Sequence, residues 1–214
     1  MVVIPCDEWL PDRALFGAPV TVATNVLPWV DGYKSFHSIS VVSTNALTAK
    51  FQGGTFARDT ASNVYLYVGD ATKLYSYASS AFSDVSRLVG GAYTVANDDW
   101  WEMIQWGNTV IAVNGHTDVP QAITLGAANF AALAGSPPKA RHIAIIRDFV
   151  VLGNVNDGTA YPSRVQWSGI NNSASWTVSA ATQADYQDLQ GDGGWIQKII
   201  GGENGLVFQE RAVW

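Results

Sequence analysis

Charge is scarce in this chain. Only 14% of its 214 residues are Asp, Glu, Lys or Arg, where an ordinary globular protein carries about 25%, so much of its surface must be covered by something other than charged groups. Twelve basic residues face eighteen acidic ones, for a net charge of −6. No cluster of Lys and Arg stands out, which argues against a sequence-reading DNA binder dependent on counterion release. A surface past which nucleic acid slides without sticking is compatible with that balance. The single cysteine, Cys6, excludes an intramolecular disulfide, and no zinc-ligand spacing occurs. No apolar run approaches the roughly 20 residues of a membrane helix, so membrane insertion is not expected. Met1-Val2-Val3-Ile4-Pro5 is too short for a secretory leader and is followed by Asp7 and Glu8. Asn171-Asn172-Ser173 is therefore a chance sequon, and the expected place of synthesis is a cytoplasm.

Aromatic residues are abundant instead: nine Trp, eight Tyr and eight Phe. Each large ring buries roughly 150–250 Å², so most belong in a core or at subunit contacts. A phrase also recurs along the chain. A turn residue precedes a β-run at Asn63 (Val64 to Val68), Asn108 (Thr109 to Val113), Asp148 (Phe149 to Leu152) and Asn204-Gly205 (Leu206 to Phe208). Successive starts lie 45, 40 and 56 residues apart, the spacing of β-propeller blades rather than of helical repeats. A second strand follows the first three runs, at Lys73 to Tyr77, Gln121 to Leu125 and Arg164 to Trp167. Each is followed by an aromatic phrase, at Phe82-Ser83-Asp84, Asn129-Phe130-Ala131 and Ala174-Ser175-Trp176. The fourth copy reaches its second strand at Ala212-Val213-Trp214, and the last blade is expected to be cut short there.

The fold class expected is all-β, with antiparallel meander repeats forming a β-propeller, complete or incomplete. Residues 1–38 read as an extended arm, because Pro5, Pro11, Pro19 and Pro28 favour extended backbone. Its candidate docking contacts are Trp9, Leu10, Phe16, Leu27, Tyr33 and Phe36, with a first strand at Thr21 to Val26. The repeat domain covers 39–214. Ser136-Pro137-Pro138-Lys139 reads as a stiff link, and Thr182 to Gly194 as the longest polar insertion.

Chemistry-bearing clusters are few. Asp98-Asp99-Trp100-Trp101-Glu102 matches paired carboxylates beside a sugar-stacking platform, but a turn at a strand edge explains it equally well. Asp185, Asp188 and Asp192 lack the ligand spacing of a calcium loop. His37, His116 and His142 are scattered, and His142, ahead of an apolar run, reads as a hydrogen-bonded core or edge residue. There is no Gly-x-Ser-x-Gly elbow, and the glycine pairs lack a phosphate-cradling spacing. No catalytic residue, metal or cofactor is assigned, and the chain does not read as an enzyme.

Several phrases carry a resemblance across nearly the whole chain: Trp9-Leu10-Pro11-Asp12, Gly32-Tyr33-Lys34-Ser35-Phe36, Arg147 to Asn154, Gln166 to Asn171, Asp185 to Gly194 and Leu206 to Trp214. The chain resembles the β-propeller tail hub, or nozzle, proteins of short-tailed bacteriophages and related prophages. The resemblance implies a structural virion protein, present as a ring of copies on the tail axis. Its partners would be other copies of itself, a connector or adaptor and other tail proteins, with double-stranded DNA passing without sequence-specific binding. Localisation would be the virion tail after assembly in the host cytoplasm. Members of that family continue past the strand on which this chain ends, and a fragment is one expectation. A carbohydrate-binding propeller for receptor recognition is the alternative, with Trp100, Trp101 and Trp167 as its candidate exposed patch and Trp176 as a further stacking platform. A glycan hydrolase using Asp98 or Asp99 is the third reading.

Overall fold

The computed structural model describes residue 22 and residues 24–29, 32–36 and 40–214. The chain divides into two compact units, Met1–Val42 and Ser43–Trp214. In the first, β1 (Val26–Trp29) and β2 (Gly32–Ser35) form an antiparallel hairpin. The strand expected at Thr21 to Val26 thus begins where that expectation ends, and part of the presumed arm is paired. Leu27 and Phe36 of this hairpin are exposed and Tyr33 is half-buried; Trp9, Leu10 and Phe16 lie outside the described residues.

The second unit is a series of antiparallel sheets, and the described residues contain no helix. The first sheet is the meander β3 (Gly54–Arg58), β4 (Val64–Gly69), β5 (Leu74–Ala78) and β6 (Ala81–Asp84). The second is β7 (Trp101–Trp106), β8 (Thr109–Asn114), β9 (Gln121–Thr124) and β10 (Ala131–Ala132). The third is β11 (Lys139–Ile146), β12 (Phe149–Asn156), β13 (Ala160–Trp167) and β14 (Asp185–Asp188). The fourth has β15 (Ile196–Ile200) and β16 (Leu206–Gln209), and mutual backbone bonds of 3.0 Å join Val207 to Trp214. All four turn-plus-run phrases of the sequence become the second strand of a sheet.

Consecutive sheets stack face to face, and strand alternation explains how. Along β8, Val110 and Ala112 point into a core shared with Tyr67 and Leu74 of the first sheet. Ile111 and Val113, between and after them, point into a core shared with Ile143, Val150 and Leu152 of the third. Along β12 the same division holds, because Val151 turns away from Leu152 to meet Ile196, Ile199 and Val207 of the fourth. A sheet buried on both faces needs an unbroken apolar run in its central strand, and both strands supply one. The first strands also meet in order: β7 lies against β3 and β11, and β15 against β11. We call the face toward the following sheet forward and the opposite face back.

Trp101 fixes the first joint. Its indole Nε1 donates to the Asp70 carbonyl at 2.9 Å, and its backbone N–H donates to Gln52 O at 2.6 Å. The ring lies so close to Gly69 that a Cβ there would sit 2.2 Å from it, so only glycine fits. Beside it the fully buried Asp70 carboxylate accepts from the N–H groups of Ala49, Thr72 and Lys73 and from the hydroxyls of Thr48, Thr72 and Tyr75. Burial pushes the Asp70 carboxyl up, but these bonds outweigh it and hold it below the ordinary aspartate value.

Two expectations are corrected. The polar stretch Thr182 to Gly194 is not a plain insertion, since it contains β14, and Trp176 is not an exposed stacking platform. Trp176 is instead buried in the core between the second and third sheets.

Leu152→Ala is expected to cost about 2–5 kcal/mol, the range for a fully buried leucine, because it opens the second joint. Leu88→Ala, at a loop position 83% exposed, should change stability by less than about 0.5 kcal/mol. Urea denaturation followed by tryptophan fluorescence checks both, and equal effects would contradict the stacking.

Candidate functional site

The first strands β3, β7, β11 and β15 border an open cleft of about 600 Å³, lined among others by Thr55, Glu102, Met103, Ile143, Lys198 and Ile200. A cleft of about 580 Å³ shares Gly54, Trp101, Glu102 and Lys198 with it and continues to Lys50, Phe51, Asp99 and Trp100.

Glu102 is the centre of this region. One carboxylate oxygen accepts from His142 Nδ1 at 2.9 Å and from Lys198 Nζ at 2.9 Å, and the other accepts from the Ile143 N–H at 3.3 Å. The three side chains stand on β7, β11 and β15, so one carboxylate joins three sheets. His142 Nε2 lies 3.1 Å from the Ile196 carbonyl, so both ring nitrogens face oxygen atoms. The Ile196 carbonyl also accepts from Asn154 Nδ2 at 3.3 Å, and the Asn154 carbonyl is bonded to His116 Nε2. Burial pushes the His116 imidazole below its ordinary value, opposed by that bond. Two histidines scattered in the sequence are thus linked through Asn154, which occupies a left-handed conformation at a bulge in β12.

Burial pushes the Glu102 carboxyl up, yet the bonds from His142 and Lys198 more than offset it, and the group titrates below the ordinary glutamate value. A general acid of the glycosidase kind needs the opposite, a raised carboxyl. Asp99 shares the second cleft but is ion-paired to Arg141 at 3.0 Å, and Asp98 is exposed. The paired-carboxylate geometry that the sequence suggested is therefore not assembled around Asp98 and Asp99.

The candidate aromatic patch is also corrected. Trp100 is 61% exposed at the cleft rim, near the equally open Phe51. Trp101 is buried, because adjacent residues of an extended chain point opposite ways, and its indole N–H is already bonded. Trp167 is half-buried against the third joint, donating to the Gln183 carbonyl at 2.8 Å. One tryptophan of the three is available as a platform.

Of the acidic trio near the third sheet, Asp188 is held by Arg164 in a two-pronged pair at 2.7 and 2.9 Å. The Arg164 guanidinium stacks between the rings of Tyr161 and Tyr186, 3.6 and 4.0 Å from their centres. Among the described residues no group of three His, Cys, Asp or Glu is placed to hold a metal ion, and none is a helix long and apolar enough to cross a membrane. His37 lies outside them. No protein-family model matches the chain, and no curated protein matches it.

Glu102→Gln should cost about 3 kcal/mol, the low end for breaking a buried pair, since Lys198 remains half in water. The depressed Glu102 stabilises the fold fully above the ordinary value of 4.5, and that contribution is lost as pH falls through the folded value. Denaturation midpoints measured from pH 7 downward should therefore show the gap between wild type and variant narrowing below that value. A gap independent of pH would show that Glu102 acts by packing alone.

Proposed function

We propose that this chain is a structural subunit of a bacteriophage tail hub or nozzle, built as a β-propeller-like series of sheets and assembled as a ring of copies. In this reading it docks on the connector and lines the DNA exit path. The observation that carries it is the use of the ionisable groups in the cleft. Of the ionisable lining residues, Glu102, Lys198 and Asp99 are tied to partners within the unit, His142 and Arg141 among them, and Lys50 reaches the Asn97 carbonyl at 3.5 Å, which suits a structural part better than a reacting one. The sparse charge and the resemblance of its phrases to those of tail hub proteins support the same reading, and the acidic balance suits a wall that DNA passes without sticking. Residues 1–38 are the segment assigned to docking on a neighbouring subunit or ring. Deleting them should abolish incorporation into virus particles while leaving the circular-dichroism signature of the β-unit unchanged. Normal incorporation of the shortened chain refutes the assignment.

A second reading, a carbohydrate-binding propeller for receptor recognition, is favoured by one feature. Trp100 and Phe51 are exposed beside the second cleft, with Lys50 and Asp99 at hand, an arrangement on which a sugar ring stacks while its hydroxyls find polar partners. Glycan-array binding lost in Trp100→Ala, with folding retained, supports that reading. Silence of the wild type across a broad array removes it.

A further inference from the structure

Two aromatic rings and two ammonium groups stand open at the second cleft, and the backbone explains why the rings are there. The Trp101 N–H donates to Gln52 O at 2.6 Å, which lays the segment carrying Phe51 beside the one carrying Trp100. Gln52 and Trp101 turn inward and are buried, so their neighbours Phe51 and Trp100 turn outward, 57% and 61% exposed. Both line the cleft of about 580 Å³, within the range of about 300–1,000 Å³ for small-ligand sites. The charges lining it are sorted by sign. Its carboxylates are withdrawn: Glu102 is held by His142 and Lys198, and Asp99 by Arg141, with side chains only 9% and 14% exposed. Asp98 is exposed but does not line the cleft. The cations face solvent instead. Lys198 is half-exposed and gives one N–H to Glu102, and Lys50 is exposed, 3.5 Å from the Asn97 carbonyl. An ammonium group carries three donors, so each lysine has donors left for a ligand.

We infer that the second cleft binds an acidic sugar, a hexuronate unit of a polysaccharide, whose ring lies on Trp100 and whose carboxylate pairs with Lys50 and Lys198. The argument is complementarity. In a chain of net charge −6, this cleft withdraws its carboxylates and shows cations beside aromatic faces, the inverse of a hexuronate. Such a sugar has an apolar C–H face for an aromatic platform and one carboxylate at the edge of its ring. A nucleic-acid strand fits less well, because binding it takes a basic groove that follows the phosphates over several nucleotides, and two lysines make one contact point. The inference rests on the carbohydrate reading above, whose ligand class it specifies, and it does not depend on assembly into a ring.

The test titrates the full chain by isothermal calorimetry with short galacturonate and mannuronate oligomers, with their methyl esters, which keep the rings and lose the charge, and with a thymidylate oligomer. At least one acid should bind, and its ester should bind at least about tenfold more weakly. Raising the salt from about 0.01 M to about 1 M, which shortens the screening length from about 30 Å to about 3 Å, should weaken the acid and leave the ester unchanged. Trp100→Ala should abolish binding of the acid. Lys50→Gln should weaken it about tenfold without affecting the ester. Both positions are exposed, so both variants should keep the circular dichroism of the wild type. Equal affinity for acid and ester, or a Lys50→Gln variant that binds the acid as the wild type does, overturns the acidic class and leaves the carbohydrate reading standing. Acid binding retained in Trp100→Ala places the site elsewhere and overturns the inference. Silence toward acids and esters alike overturns it too, and the glycan array then decides the carbohydrate reading separately. Preference for thymidylate would make the cleft a nucleic-acid contact, which also overturns it.

Discussion

Everything in the β-unit depends on sheets that are buried on both faces. In β8 the four residues Val110 to Val113 are each no more than 1% exposed, yet neighbours in the sequence serve different cores. Neither the second nor the third sheet could stand alone, because each would present an apolar face to water on two sides. Burying one Val, Leu or Ile contributes about 1.5–3 kcal/mol, and the gain is realised only when sheets are set in series. The low charge of the chain follows from the same constraint, since a two-faced strand has no position at which a charge meets solvent.

Apolar contact alone gives a stack little sense of register, because hydrophobic attraction has no direction. The few charged groups supply it at the joints and strand ends. Trp101 and Asp70 set the second sheet against the first through the indole bond and the close approach at Gly69. Glu102 draws β11 and β15 to β7 through His142 and Lys198. Arg164, stacked between two tyrosines and paired to Asp188, fastens β14 to β13 where there is almost no apolar surface to hold it. For the buried Glu102, the cost of breaking such a pair exceeds the gain on forming it, because a partner is left uncompensated.

The strands were legible in the sequence wherever turn chemistry and apolar periodicity coincided. The Asn and Asp turn residues mark the second strand of every sheet, and the β-branched runs after them mark the cores. Legibility failed where a tertiary partner decided the outcome. β14 reads as polar insertion because its side chains pair with Arg164 and the tyrosines rather than with a core. Trp100 and Trp101 look alike in the sequence, but alternation sends one to solvent and the other under the first sheet. No spacing rule joins His116, His142 and Glu102, because a bulge at Asn154 and the stacking of three sheets bring them together. The expected arm contacts Leu27 and Phe36 fall on a hairpin that Pro28 did not announce.

These features bear on what the cleft can do. Catalytic pairs depend on neighbouring groups whose titrations are pushed apart, one held as acid and one as base. Here the groups are matched instead: a depressed carboxylate bonded to a histidine and a lysine, and an aspartate paired with an arginine. Bonds of this kind oppose separation of the strands that carry them. The side chains at Glu102, His142 and Lys198 thus tie together the three sheets that carry them.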